Sequence, residues 1–244
     1  FMGLSVGTSV IVARAFGAKN LEDIRQAVHT SIAVGIIGGI MATGIGLAFC
    51  TPLLHWMGTP DEILGLSSRY MAILFYGMPA SMVFNFGAAI LRAVGDSKRP
   101  MYFLVVSGTV NVALNVLFVA VLRWGVAGVA WSTTITQYLA MALIIASLMK
   151  QEGALRFSWN RLKIHTQKLA LILKIGVPAG LQGVLFSISN VLIQSAVNSF
   201  GTTMVAASAA SSNVENLVAT PMNAYYQAAI TYAGQSMGAE DYDA

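Results

Sequence analysis

Between Lys174 and Glu240 the chain carries a single charge, Glu215. That run belongs to a series of apolar blocks of about 20 residues or more, the length that crosses a hydrocarbon core ~30 Å thick. Hydrophobic residues make up 56% of the 244 residues and charged ones 10%, against roughly 25% charged in an ordinary soluble domain. Inside a bilayer each backbone N–H and C=O needs an internal partner, which leaves helices or closed barrels. The blocks are too long for single strands and show no period-2 alternation, so the chain reads as an all-α polytopic membrane protein.

Seven spans are expected, at about 1–16, 28–49, 67–91, 101–122, 127–149, 175–199 and 204–234. Their connecting loops divide sharply by charge. One set holds Arg14, Lys19, Arg25, Arg92, Lys98, Arg99, Lys150, Arg156, Arg161, Lys163, Lys168 and Lys174, and the other only Arg69 and Arg123. Loops rich in Lys and Arg stay in the cytoplasm, which fixes the expected orientation and alternates without violation through all seven spans. The net charge of +4 therefore reports topology and is no nucleic-acid signal. Cys50 is the lone cysteine, so the chain has no internal disulfide framework. The opening "FMGLSVGTSVIVAR" lacks a basic n-region and a cleavage-like site. It reads as the second half of a helix, and the chain as a fragment.

The longest loop, 150–174, carries Phe157, Leu162, Ile164, Leu169 and Leu173 among basic residues, with Trp159. This pattern predicts an amphipathic helix lying on an anionic cytoplasmic leaflet, or else a loop that only sets topology. A weak repeat flanks it. "ARAFGAKNLED" (13–23) and "GQSMGAEDYDA" (234–244) align at an offset of 221 residues, pairing Gly17 with Gly238 and Ala18 with Ala239. Six crossings separate them. An even number keeps both in one orientation, as a parallel repeat about an axis along the membrane normal requires.

Chemistry of the catalytic kind is not indicated. His29, His55 and His165 are scattered in or beside loops, and no metal-ligand spacing or nucleophile motif occurs. The spans carry more. Ser187, Asn190, Gln194 and Asn198 fall at steps of three, four and four, on one helix face. Such a face either lines a water-filled cavity or supplies interhelical hydrogen bonds. Asn111 and Asn115 share a face one turn beyond Ser107; their carbonyls can coordinate a cation or hold a neighbouring helix. Glu215 lies beyond the interfacial zone, where an ionised carboxylate is disfavoured. Met222 and Tyr226 share its face, and Pro221 removes the hydrogen bond to the Leu217 carbonyl. A titratable group beside a hinge can couple protonation or cation binding to helix movement; a structural, paired glutamate is the alternative. Gly3 and Gly7, Gly35 and Gly39, and Gly44 and Gly46 are spacings for close helix packing. Pro79 and Pro178 are expected to break their spans.

"FMGLSVGTSVIVARAFGAKN", "ILRAVGDSKRPM", "NVALNVLFV", "GVAGVAWST" and "PMNAYYQAAITYAGQSMGAEDYD" together resemble the multidrug and toxic compound extrusion (MATE) family of transporters, from about its second helix to its eighth. The resemblance implies twelve spans in two six-helix lobes related by a pseudo-two-fold axis. Residues 1–150 would belong to the N-terminal lobe, 151–174 to a cytoplasmic linker and 175–244 to the start of the C-terminal lobe. It further implies an antiporter of the cytoplasmic membrane, with a sodium ion or proton as coupling ion and no other cofactor. Small organic compounds, cationic or amphipathic, would be the cargo, the bilayer the surroundings, and no nucleic acid or obligatory protein partner is implied. A flippase for lipid-linked precursors is the alternative within the same fold group. Many bacterial members carry an Asn followed four residues later by an Asp; here the pair is Asn111 and Asn115. Some relatives place a glutamate where Phe186 stands. Glu215 matches an acidic position of the eighth helix. The implied site is thus Glu215, Asn111 and Asn115 for the ion, and Ser187, Asn190, Gln194, Met222 and Tyr226 for substrate. Pro178 and Pro221 would be its hinges, in a cavity lined by the fourth, sixth and seventh spans present here.

Overall fold

The computed structural model describes residues 2–56, 61–200 and 202–240, and within them every regular element is helical. Eight α-helices follow in order: α1 (Met2–Gly17), α2 (Leu21–Trp56), α3 (Asp61–Tyr76), α4 (Met78–Ala93), α5 (Lys98–Asn115), α6 (Gly125–Met149), α7 (Thr166–Ser199) and α8 (Thr202–Ala239). Among the described residues four helical stretches, in α2, α5, α6 and α7, are long and apolar enough to cross a membrane, and the bent pair α3–α4 makes a fifth. α1 is apolar but shorter, over Gly3–Gly17. The span expected at 204–234 is a helix, yet not an apolar one: Ser, Thr, Asn and Gln recur along α8, around Glu215.

The basic loops come together at one end. There Lys168 Nζ meets Asp23 at 2.6 Å, the His165 N–H donates to Thr30 Oγ1 at 3.1 Å, and Gln235 Nε2 donates to the Ala93 carbonyl at 2.7 Å. The buried core lies at this end as well, where Val12, Val28, Leu91, Leu148, Phe157 and Ile172 from α1, α2, α4, α6, the linker and α7 meet. Away from it, Ile40, Met41, Ile45 and Phe49 of α2 and much of α5 and α7 are exposed, as suits faces turned to lipid.

The break expected at Pro79 is present, as a bend of 41° between α3 and α4. Proline has no N–H and crowds the carbonyl four residues back, Phe75. That oxygen accepts from Thr43 Oγ1 of α2 at 2.7 Å. Two further carbonyls lost from the ladder at the bend are Ile73, taken by Thr134 Oγ1 (2.9 Å), and Tyr76, taken by the Tyr138 hydroxyl (3.0 Å), both from α6. Side chains of two neighbouring helices thus complete the broken span, as backbone at membrane depth demands. No comparable break occurs at Pro178, because α7 runs uninterrupted from Thr166 to Ser199. α8 is likewise continuous over Pro221.

The amphipathic helix expected in the loop at 150–174 is not formed. Two short 3-10 turns, Gly153–Leu155 and Trp159–Arg161, are followed by α7, which already begins at Thr166. The reason is local. Phe157 is 1% exposed, with its ring 5.5 Å from that of His29 and 5.0 Å from that of Trp159. Its N–H donates to the Leu148 carbonyl at 3.0 Å, and the Ser158 N–H donates to His29 Nε2 at 3.3 Å. Since His29 Nδ1 lies 2.8 Å from the Arg25 carbonyl, which can only accept, the ring proton sits on Nδ1. Amides that would close helical turns are spent on α2 and α6 instead, and the loop is pinned to the bundle.

Candidate ion and substrate site

Asn111 and Asn115 stand at the end of α5, where the backbone widens into a π-helix over Val116–Val121. π turns recur at functional positions. The two amides are linked, Asn115 Nδ2 donating to Asn111 Oδ1 at 3.0 Å. Asn111 Nδ2 donates to Thr136 Oγ1 at 3.2 Å and Ser132 Oγ to Asn115 Oδ1 at 2.6 Å. The four side chains form a zipper between α5 and α6, each amide being satisfied by a neighbour.

Beside the zipper a cleft of about 470 Å³ opens between α4, α5 and α6. Asn85, Arg92, Ser107, Asn111, Thr136 and Gln137 face it. Among the described residues Arg92 Nε, Ser107 Oγ and Gln137 Oε1 are buried without a hydrogen-bond partner. Three unanswered polar atoms in one cleft are uncommon and mark it as a place where polar groups of another helix or of a ligand fit. Sequence reasoning missed Ser132, Thr136 and Gln137. Their signal was the run Ser132, Thr133, Thr134 and Thr136 of α6, whose i,i+4 members complement Asn111 and Asn115.

The other expected site residues lie elsewhere. Ser187, Asn190 and Gln194 are exposed along α7, and Ser187 Oγ returns a hydrogen bond to the Gly183 carbonyl at 3.0 Å. The side chain of Asn198 and residues 241–244 of the repeat fall outside the described residues. Glu215, Met222 and Tyr226 are exposed on α8, as are Pro178 and Pro221 on their helices. The cleft next to Asn111 contains no α7 or α8 residue. The polar face of α5 has turned to α6, so a single cavity shared by α5, α7 and α8 is not what this chain forms by itself.

α7 and α8 are held by α1, which packs between them. Gly3 and Gly7 lie against the backbone of Ile172, Gly176 and Gly180 in α7. At the basic end α1 crosses α8 so closely that a Cβ on Gly17 would collide with the Gln235 carbonyl, and one on Gly238 with the Arg14 carbonyl. A Cβ on Gly234 would stand 2.8 Å from that of Ala13. The offset of 221 residues maps 17 to 238, 14 to 235 and 13 to 234. The two glycine contacts are therefore images of each other, and Ala13 meets its own counterpart. Reciprocal contacts of this kind define a two-fold axis, here passing between α1 and α8 where the sequence repeat predicts one.

Comparison with known proteins agrees with this geometry. The MatE family pattern matches residues 1–117. The probable multidrug resistance protein YoeA of Bacillus subtilis is 32% identical over 99% of this chain and 54% of its own. The chain superimposes with a TM-score of 0.91, at 26% identity and over 98% of its length, on a structure described as the outward-facing conformation of a multidrug resistance MATE family transporter of the MOP superfamily. The chain is thus similar to MATE-family multidrug transporters along nearly its whole length. It spans about half the length of the curated relatives it matches. Against a structure described as the inward-facing conformation of such a transporter, the chain gives a TM-score of 0.72 over 80% of its length.

Proposed function

We propose that the full-length protein is a cation-coupled antiporter of the cytoplasmic membrane that exports organic, cationic or amphipathic compounds by alternating access. The observation that carries the reading is the α1–α8 crossing. It holds the basic end closed on a pseudo-two-fold axis, while the far stretches of α7 and α8 present exposed polar groups. A seam on the axis of two lobes is the place where rocking closes one side and opens the other. The higher TM-score to the outward-facing relative supports assigning this arrangement to an outward-open state. The names of the relatives, among them the multidrug export protein MepA of Staphylococcus aureus, support export as the direction and a transporter rather than an enzyme as the class.

Glu215 is the coupling residue in this reading. A carboxylate exposed on a span-length helix is a group that can hold the coupling ion, and Pro221 lets α8 bend in response. Asn111 and Asn115 serve the first lobe, while Ser187, Asn190, Gln194, Met222 and Tyr226 line the substrate path. The test is dye efflux from proteoliposomes carrying the full-length protein. Glu215→Gln should abolish gradient-driven efflux while leaving dye binding intact, and the active gradient, sodium or proton, identifies the ion. Unchanged efflux in the variant would remove Glu215 from the mechanism.

A further inference from the structure

Two adjoining clefts, of about 590 and 390 Å³, open at the basic end between the first turns of α2, the end of α6 and the linker. They share Glu22, Arg25, Asn160 and Arg161, and add Arg156 in one and Lys163 in the other. The charge balance is lopsided. Glu22, the carboxylate that lines both, is already held by Arg25 and by Gln26 Nε2 at 3.1 Å. Among the described residues Arg156, Arg161 and Lys163 have no carboxylate partner, whereas Lys168 nearby has Asp23.

The floor is rigid. Phe157 is buried, Ser158 is tied to His29, and the Arg161 N–H donates to the Ser158 carbonyl at 3.1 Å, so the cations project from a fixed backbone. The lip is apolar: Leu21 is 67% exposed, Trp159 53% and Met149 42%. A cationic cleft alone fits any phosphate. One with an exposed indole and two long aliphatic side chains at its mouth, level with the ends of spanning helices, fits a phosphate that carries acyl chains.

We propose that this cleft seats the phosphodiester headgroup of an anionic phospholipid from the adjoining leaflet, with Arg156, Arg161 and Lys163 on the phosphate and the acyl chains leaving past Leu21 and Trp159. A headgroup there bridges α2, α6 and the linker, the three elements joined by Phe157.

Phosphatidylglycerol with brominated acyl chains tests the site on full-length protein in neutral detergent. Quenching of Trp159 is isolated by subtracting the W159F signal. Saturable quenching by phosphatidylglycerol, and none by brominated phosphatidylcholine, is expected. Arg156→Gln with Arg161→Gln should weaken the midpoint about 25-fold, at about fivefold for each lost cation, while the double Lys variant stays near the parent. Equal quenching by the two lipids, or an unmoved midpoint in the Gln variant, overturns the proposal. Inorganic phosphate protecting the parent from thermal unfolding as well as phosphatidylglycerol does would give the cleft to a free anion and also overturn it. Should the Gln variant not fold, the two lipids on the parent decide alone.

Discussion

The polar stripes of α5 and α7 have the same spacing and opposite surroundings. Asn111 and Asn115 are paired with each other and with Ser132 and Thr136 of α6. Asn190 and Gln194 are exposed on a helix whose surface beyond Gly180 is open nearly throughout. Helical periodicity therefore identifies a face that needs partners without saying which kind. On α5 the partners are side chains, and the face is part of the scaffold. On α7 the face is turned outward, away from the other helices of the bundle. The same contrast separates the prolines: Pro79 sits where α2 and α6 supply hydroxyls for the broken ladder, whereas Pro178 and Pro221 are exposed on continuous helices.

The contrast can be broken by substitution, and the largest effect belongs to the tightest packing. Gly17→Val or Gly238→Val drives a branched side chain into a carbonyl, and each should lower stability by about 1–3 kcal/mol. Gly44→Val, where nothing lies within 4 Å, is the control. Thermal unfolding that shifts equally at Gly17 and Gly44 would deny that the seam is tight. Asn115→Leu leaves Asn111 Oδ1 without its donor, at about 1–2 kcal/mol, while Ser132 keeps the Val129 carbonyl, and a silent result would detach α5 from the scaffold. Thr43→Val leaves the Phe75 carbonyl without its donor, worth about 1 kcal/mol. Asn190→Leu should change stability by less than about 0.5 kcal/mol, as substitutions on exposed faces do. A larger loss would move α7 to the side of α5.

Much of the fold was legible because lipid imposes a long-range rule on a local signal. Apolar blocks and Lys/Arg sidedness place the helices and gather the basic ends without knowledge of any contact. Gly77, Met78 and Pro79 announce their own bend. The linker was not legible. Its residues have the composition of an amphipathic helix, but the pocket for Phe157 is completed by His29, far back in the sequence and packed close only after folding. The site was half legible for the same reason. The spacing of Asn111 and Asn115 gave a shared face, while their partner Thr136 lies 25 residues on from Asn111. Gln235 is a further case, since its bond to the Ala93 carbonyl spans 142 residues.

The seam between α1 and α8 has one more consequence. What α1 offers to α8 is, position for position, what α8 offers to α1: a glycine under the partner's carbonyl, and a small residue facing its own image. Such a surface is self-complementary. Two identical half-length chains could join through it as a symmetric dimer, with no residue needing to be invented for the encounter. A joint of this kind is one that gene duplication and fusion would inherit ready-made.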